Sequence, residues 1–80
     1  MTQVTLIGKP DCHLCDDARA TLTEVAGEFG LPFTELSIAD DPALAAEYAE
    51  EVPVVIIDGK VHTIWRVDAA RLRSALEAAS

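Results

Sequence analysis

The chain has 80 residues, room for one domain with a thin core, because a domain this small buries only about 60% of the surface its unfolded chain exposes. A hydrophobic share of 50% is enough for a globular fold and argues against disorder. The formal charge of −8 at pH 7 would repel phosphate, which excludes nucleic acid and leaves a basic protein partner or plain solubility as its meaning.

Val4-Thr5-Leu6-Ile7 is a short β-prone run that stops at Gly8-Lys9-Pro10-Asp11, so a buried strand followed by a loop is expected. From about Cys12 the period changes. Leu14, Ala18, Leu22, Val25 and Phe29 recur at steps of three and four and form one apolar helix face, which makes Leu14 a core residue. Gly30 and Pro32 end that helix. A second strand runs from Phe33 to Ile38, with Leu36 and Ile38 on one face and Glu35 and Ser37 on the other. The helix between the two strands is long enough for a parallel crossover, giving a βαβ unit.

Asp41 caps a second helix, with Pro42 at its first position and Leu44, Ala45 and Tyr48 on its apolar side. Val54-Val55-Ile56-Ile57 is a continuous β-branched run, as a central strand buried on both faces requires. Asp58-Gly59 signals a two-residue hairpin turn with positive φ, and Val61 to Trp65 returns antiparallel. Asp68 caps a last helix carrying Ala69, Leu72, Leu76 and Ala79 on one side. The order β-α-β-α-β-β-α predicts an α/β fold, a four-stranded mixed sheet flanked by helices on both faces.

Only two cysteines are present, Cys12 and Cys15. A bridge between such near neighbours closes almost no loop and would be a poor structural staple. The start of the chain, Met1 to Lys9, lacks a basic leader with a signal-length apolar run, and no stretch is long enough to cross a bilayer. A reducing cytoplasm is therefore the expected setting, and there a close cysteine pair reads as catalytic or metal-binding.

Three residues apart at a helix start, Cys12 and Cys15 share one face within disulfide reach. Cys12 sits where unpaired backbone N–H groups and the positive end of the helix favour a thiolate; Cys15 lies one turn inside. Cys12 should therefore attack a substrate disulfide, and Cys15 should resolve the mixed disulfide and leave a Cys12–Cys15 bridge for an external reductant. Lys9 favours the thiolate while Asp11, Asp16 and Asp17 oppose it, a balance that predicts a reducing protein rather than a strong oxidant. The alternative is a metal or iron–sulfur module. Zinc needs four ligands, and Cys12, Cys15, His13 and His62 are the only cysteines and histidines, so such a site would call for a dimer.

The run Leu6 to Cys15, followed by Glu51-Val52-Pro53-Val54-Val55 and Asp58-Gly59, resembles glutaredoxin-like proteins of the thioredoxin superfamily, in particular the compact bacterial branch with a Cys-x-Leu-Cys site. The similarity in element order covers nearly the whole chain. It implies strand order 2-1-3-4, helices 1 and 3 on one face and helix 2 on the other, and a cis peptide at Val52-Pro53 beside the cysteines. It also implies that Val52 offers its N–H and C=O to an extended substrate or to glutathione, that Pro53 fixes the turn, and that Lys9 matches a family lysine in the loop presenting Cys12. The expected partners are a disulfide-containing protein or mixed-disulfide substrate and a reductant. No tightly bound cofactor and a monomeric chain are expected.

Two stretches depart from the family pattern. His13 and Leu14 replace the Pro and aromatic residue usual between the cysteines, and Trp65-Arg66-Val67-Asp68 stands where a Gly-Gly pair usually approaches glutathione. In that stretch Trp65, Arg66 and Asp68 are the candidate contacts for glutathione or substrate. The reductant is either glutathione or a flavoprotein thioredoxin reductase. His13 would titrate near neutral pH beside Cys12 or simply face solvent, and His62 is a strand residue.

Overall fold

A computed structural model of the chain describes residues 2–79. Its elements, in order, are β1 (Val4–Gly8), α1 (His13–Glu28), β2 (Thr34–Ser37), α2 (Pro42–Tyr48), β3 (Val54–Ile57), β4 (Lys60–Ile64) and α3 (Ala69–Ala79). The strands form one sheet in the order β2-β1-β3-β4, with β1 parallel to β2 and antiparallel to β3, and β3 antiparallel to β4. The α1 crossover makes the first pairing parallel, as the sequence predicts.

Alternation along the strands sorts the core into two layers. Val4 and Leu6, with Val55 and Ile57 opposite them, pack on Ala18, Leu22, Val25, Leu72 and Leu76 of α1 and α3. Ile7 and Val54 turn to the other face, where Ile56, Ile64, Leu44 and Tyr48 join them. Helices α1 and α3 therefore share one face and α2 covers the other. Leu22, Leu72 and Leu76 are fully buried, each stabilising the fold by about 1.5–3 kcal/mol relative to an exposed position.

Local signals set the boundaries. Asp41 accepts the Ala43 N–H at 2.9 Å and caps α2, with Pro42 at its first position. Asp68 does the same for α3, accepting the Arg71 N–H at 3.1 Å. At the β3–β4 turn Asp58 and Gly59 have φ of 51° and 82°, the paired positive values of the hairpin turn expected there. Asp58 also closes the sheet: its N–H donates to the Gln3 carbonyl at 2.8 Å, and its carboxylate accepts the Gln3 N–H at 2.8 Å.

Four expectations are corrected. Leu14 is 36% exposed rather than core, because the buried stripe of α1 starts at Cys15 and continues through Ala18, Leu22, Val25 and Ala26. One residue is about 100° of helix, enough to turn Leu14 away from the sheet. Strand β2 is shorter than predicted and lies at the sheet edge, so Leu36 is 40% exposed although it aligns with buried Ile7. Strand β4 ends at Ile64, not Trp65, and its register shift leaves His62 as the extra residue of a bulge. Ala79 is exposed at the end of α3.

Candidate active site

Strand β1 ends at Gly8, and the loop to α1 crosses the C-terminal end of the sheet. Asp11 takes φ of 55°, a left-handed conformation that short polar side chains tolerate, and so turns the chain into the helix. Cys12 follows in extended conformation as the N-cap of α1. Its Sγ accepts the Cys15 N–H at 3.2 Å, where a serine or aspartate oxygen usually caps a helix. Unpaired N–H groups and the positive end of the helix converge on that place.

Both cysteines are free thiols, Cys12 partly exposed and Cys15 buried. Burial, followed by the adjacent Cys12 sulfur, pushes the Cys15 thiol up to about 11; the Lys9 backbone N–H and the Lys9 charge pull against that rise. Lys9 thus acts on the buried cysteine through its backbone as well as its side chain. The charge balance around Cys12 also differs from the sequence expectation. Arg19 pairs with Asp16 at 3.0 Å while it holds Glu35 of β2 at 2.6 Å, so the Asp16 charge is partly offset.

The peptide bond between Val52 and Pro53 is cis, as the resemblance implies. Val52 is buried in the cluster that contains Cys15, and Cys12 packs against that cluster. One expectation fails here: the Val52 N–H is not free for a substrate, because it donates to the Tyr48 carbonyl at 3.1 Å. Glu51 donates to the same carbonyl at 2.8 Å, closing the end of α2. Only the Val52 carbonyl is left for pairing.

Beyond β4, Trp65 adopts φ of 66° and leaves its side chain 54% exposed. A left-handed backbone costs an L-residue about 1–2 kcal/mol that glycine would not incur. Two bonds hold it there: its N–H donates to the Pro53 carbonyl at 2.8 Å and its indole Nε1–H to the Glu50 carbonyl at 3.1 Å. Trp65, Arg66 and Val67 line one wall of a cleft of about 220 Å³, with Leu14, Asp17 and Thr21 of α1 on the other. Asp68 lies just past the cleft, its carboxylate occupied in capping α3. A larger cavity, about 820 Å³, opens at the opposite end of β1, beside Thr2, Gln3 and Gly30 to Phe33.

The structure therefore brings Cys12, Cys15, Lys9, Val52 and Pro53 together, with Trp65 and Arg66 at the rim. His13 is exposed in the first turn of α1. In the β4 bulge, burial and then the Arg71 charge lower the His62 pKa, favouring the neutral imidazole. Among the described residues no three of His, Cys, Asp and Glu converge, so a metal or cluster on Cys12 and Cys15 would take its other ligands from elsewhere. No helix of the described residues is long and apolar enough to cross a membrane.

Sequence reasoning missed Gly8. A Cβ built there would lie 3.3 Å from the Cys15 Sγ, so only glycine admits the sulfur against β1 without a shift. A glycine closing an apolar strand just before the cysteine loop was the available signal.

Comparison with known proteins agrees with this geometry. The family model of the glutaredoxin-like domain (DUF836) matches residues 3–77. Uncharacterized proteins of Mycobacterium tuberculosis and Mycobacterium bovis are 32% identical over 77 residues, covering 90% of this chain and 79% of each relative. The X-ray structure of protein XcR50 from X. campestris is similar with a TM-score of 0.79 at 38% identity, over 96% of this chain and 99% of that one. Protein Ne2328 from Nitrosomonas europaea shares the fold with a TM-score of 0.78 at 20% identity, over 92% of this chain and 89% of that one. With its sheet order, its cysteine pair and a family match over nearly its whole length, the chain belongs to the glutaredoxin-like domain family of the thioredoxin superfamily.

Proposed function

We propose that this protein is a thiol–disulfide oxidoreductase that reduces protein or mixed disulfides in a reducing, cytoplasmic setting. The observation that carries the proposal is the cysteine pair itself: a partly exposed Cys12 sulfur capping α1, bonded at 3.2 Å to the N–H of a Cys15 buried one turn below.

The Cys12 thiolate attacks one sulfur of the substrate disulfide, forming a mixed disulfide and expelling the other sulfur as a thiolate. Before this step Cys15 holds its proton, since burial and the neighbouring Cys12 keep its pKa near 11. Forming the mixed disulfide ties up the Cys12 sulfur and removes its share of that rise, whereas the Lys9 N–H and charge continue to favour a thiolate. Cys15 then gives up its proton, to solvent or to the departing thiolate, and attacks Cys12. The substrate leaves with two electrons and the Cys12–Cys15 bridge closes. An external thiol donor, glutathione or a flavoprotein thioredoxin reductase, returns the two electrons.

An insulin-reduction assay run in parallel with the glutathione system and with thioredoxin reductase tests the proposal. The expected results are turnover with one of the two systems, none in Cys12→Ser, and a trapped mixed disulfide in Cys15→Ser. Native thiols inert to both oxidants and alkylating agents would refute it.

A further inference from the structure

We propose that Trp65 is a positioning residue that clamps the substrate-pairing segment from both sides. The inference rests on the reading above, in which Val52 lies beside the reacting sulfur. Among the described residues four large apolar side chains are exposed, and Trp65 is the most exposed at 54%. It also adopts the left-handed φ of 66°, which glycine would take without strain. A bulky, strained, solvent-facing residue persists where its surroundings hold it, and here the holding bonds converge on one short segment.

That segment is Glu50 to Pro53. The Trp65 N–H reaches the Pro53 carbonyl at 2.8 Å and extends the β3–β4 ladder by one bond beyond the Val54–Ile64 pair. Its indole reaches back to the Glu50 carbonyl at 3.1 Å. Between these two anchors lies Val52, whose N–H is bonded to Tyr48 at 3.1 Å. With its N–H engaged, Val52 has its carbonyl left to pair with an extended chain. A single acceptor specifies direction poorly, so its orientation depends on the flanking anchors. The Tyr48 carbonyl holds the Glu51 and Val52 N–H groups from the helix side, Trp65 supplies both flanking anchors, and the indole anchor exists only because a tryptophan stands there.

The clamp matters more for substrates that lay a peptide backbone along Val52 than for small disulfides that meet only Cys12. Trp65→Phe keeps the ring and removes the indole donor. In this variant the KM for insulin should rise about 3–10-fold, the effect of one lost hydrogen bond, and by more than the KM for 2-hydroxyethyl disulfide, while the rate of Cys12 alkylation by iodoacetamide stays at the wild-type value. Amide exchange at Glu51 and Val52 should speed up in parallel. In the wild-type protein the indole N–H should exchange more slowly than that of free tryptophan. Wild-type activity combined with an unchanged insulin KM in Trp65→Phe overturns the clamp alone, as does an indole that exchanges like the free amino acid. Wild-type protein inactive on both disulfides would sink the oxidoreductase reading instead, and the exchange measurements would still decide the clamp.

Discussion

Gly8 and Cys15 are in contact across the junction of strand and helix: a Cβ on Gly8 would stand 3.3 Å from the Cys15 sulfur and 3.4 Å from its Cβ. The buried thiol is thus seated against bare backbone. Gly8→Ala forces the sulfur or the strand to give by a few tenths of an ångström, although alanine suits a strand better than glycine does. A loss of about 1–3 kcal/mol is expected from the overpacking, and more for Gly8→Val. Urea denaturation measures it. Equal or greater stability in Gly8→Ala would show that the contact is slack.

The elevated Cys15 pKa has a consequence for stability at high pH. The folded chain keeps the Cys15 proton up to about 11, whereas the unfolded chain releases it near the ordinary thiol value. Between those values the folded state binds more protons, so stability is fully present below about pH 8.5 and falls as pH rises toward 11. The loss by pH 11 is on the order of 3 kcal/mol. Denaturation of reduced protein from pH 8 to 10.5 should show a decline that is shallower in Cys15→Ala. Parallel slopes would contradict the burial assigned to this thiol.

Leu14 and Leu22 lie on the same helix but should respond very differently to truncation. Leu22 is fully buried, and Leu22→Ala should cost about 2–5 kcal/mol. Leu14 is 36% exposed at the cleft rim, and Leu14→Ala should cost less than about 1 kcal/mol. Similar losses in thermal or chemical unfolding would restore Leu14 to the core.

Asp68 was expected among the contacts for glutathione or substrate, yet its carboxylate accepts the Arg71 N–H at 3.1 Å. As an N-cap it should lose about 0.5–2 kcal/mol in Asp68→Ala and much less in Asp68→Asn, which keeps an acceptor oxygen. Equal losses in the two variants would point to the charge rather than the cap.

The element order, the βαβ crossover, both aspartate caps and the Asp58-Gly59 turn were legible in the sequence because each rests on local rules. Period, capping chemistry and positive φ are properties of a few adjacent residues. The cysteine pair was legible for the same reason: its spacing and its place at the head of α1 already define which sulfur is outside and which is inside. The cis peptide before Pro53 came from resemblance, since nothing in its neighbours' composition demands it.

Other features needed the chain to close on itself. Leu14 fits the periodicity of the core stripe, and only the seating of α1 through Cys15 and Ala18 turned it outward. Leu36 alternates correctly but lies at the sheet edge beside a seven-residue α2 that buries none of its own residues. The contact of Gly8 with Cys15 and the reach of Trp65 to Glu50 and Pro53 join residues whose approach no local rule specifies. The sequence by itself determined the order of elements and the two sulfurs at the helix head, because helices, turns and caps are short-range choices. Which neighbours those sulfurs and the Val52 segment meet was decided by tertiary packing, since hydrogen bonds and close contacts between distant segments exist only once the sheet has set their separation.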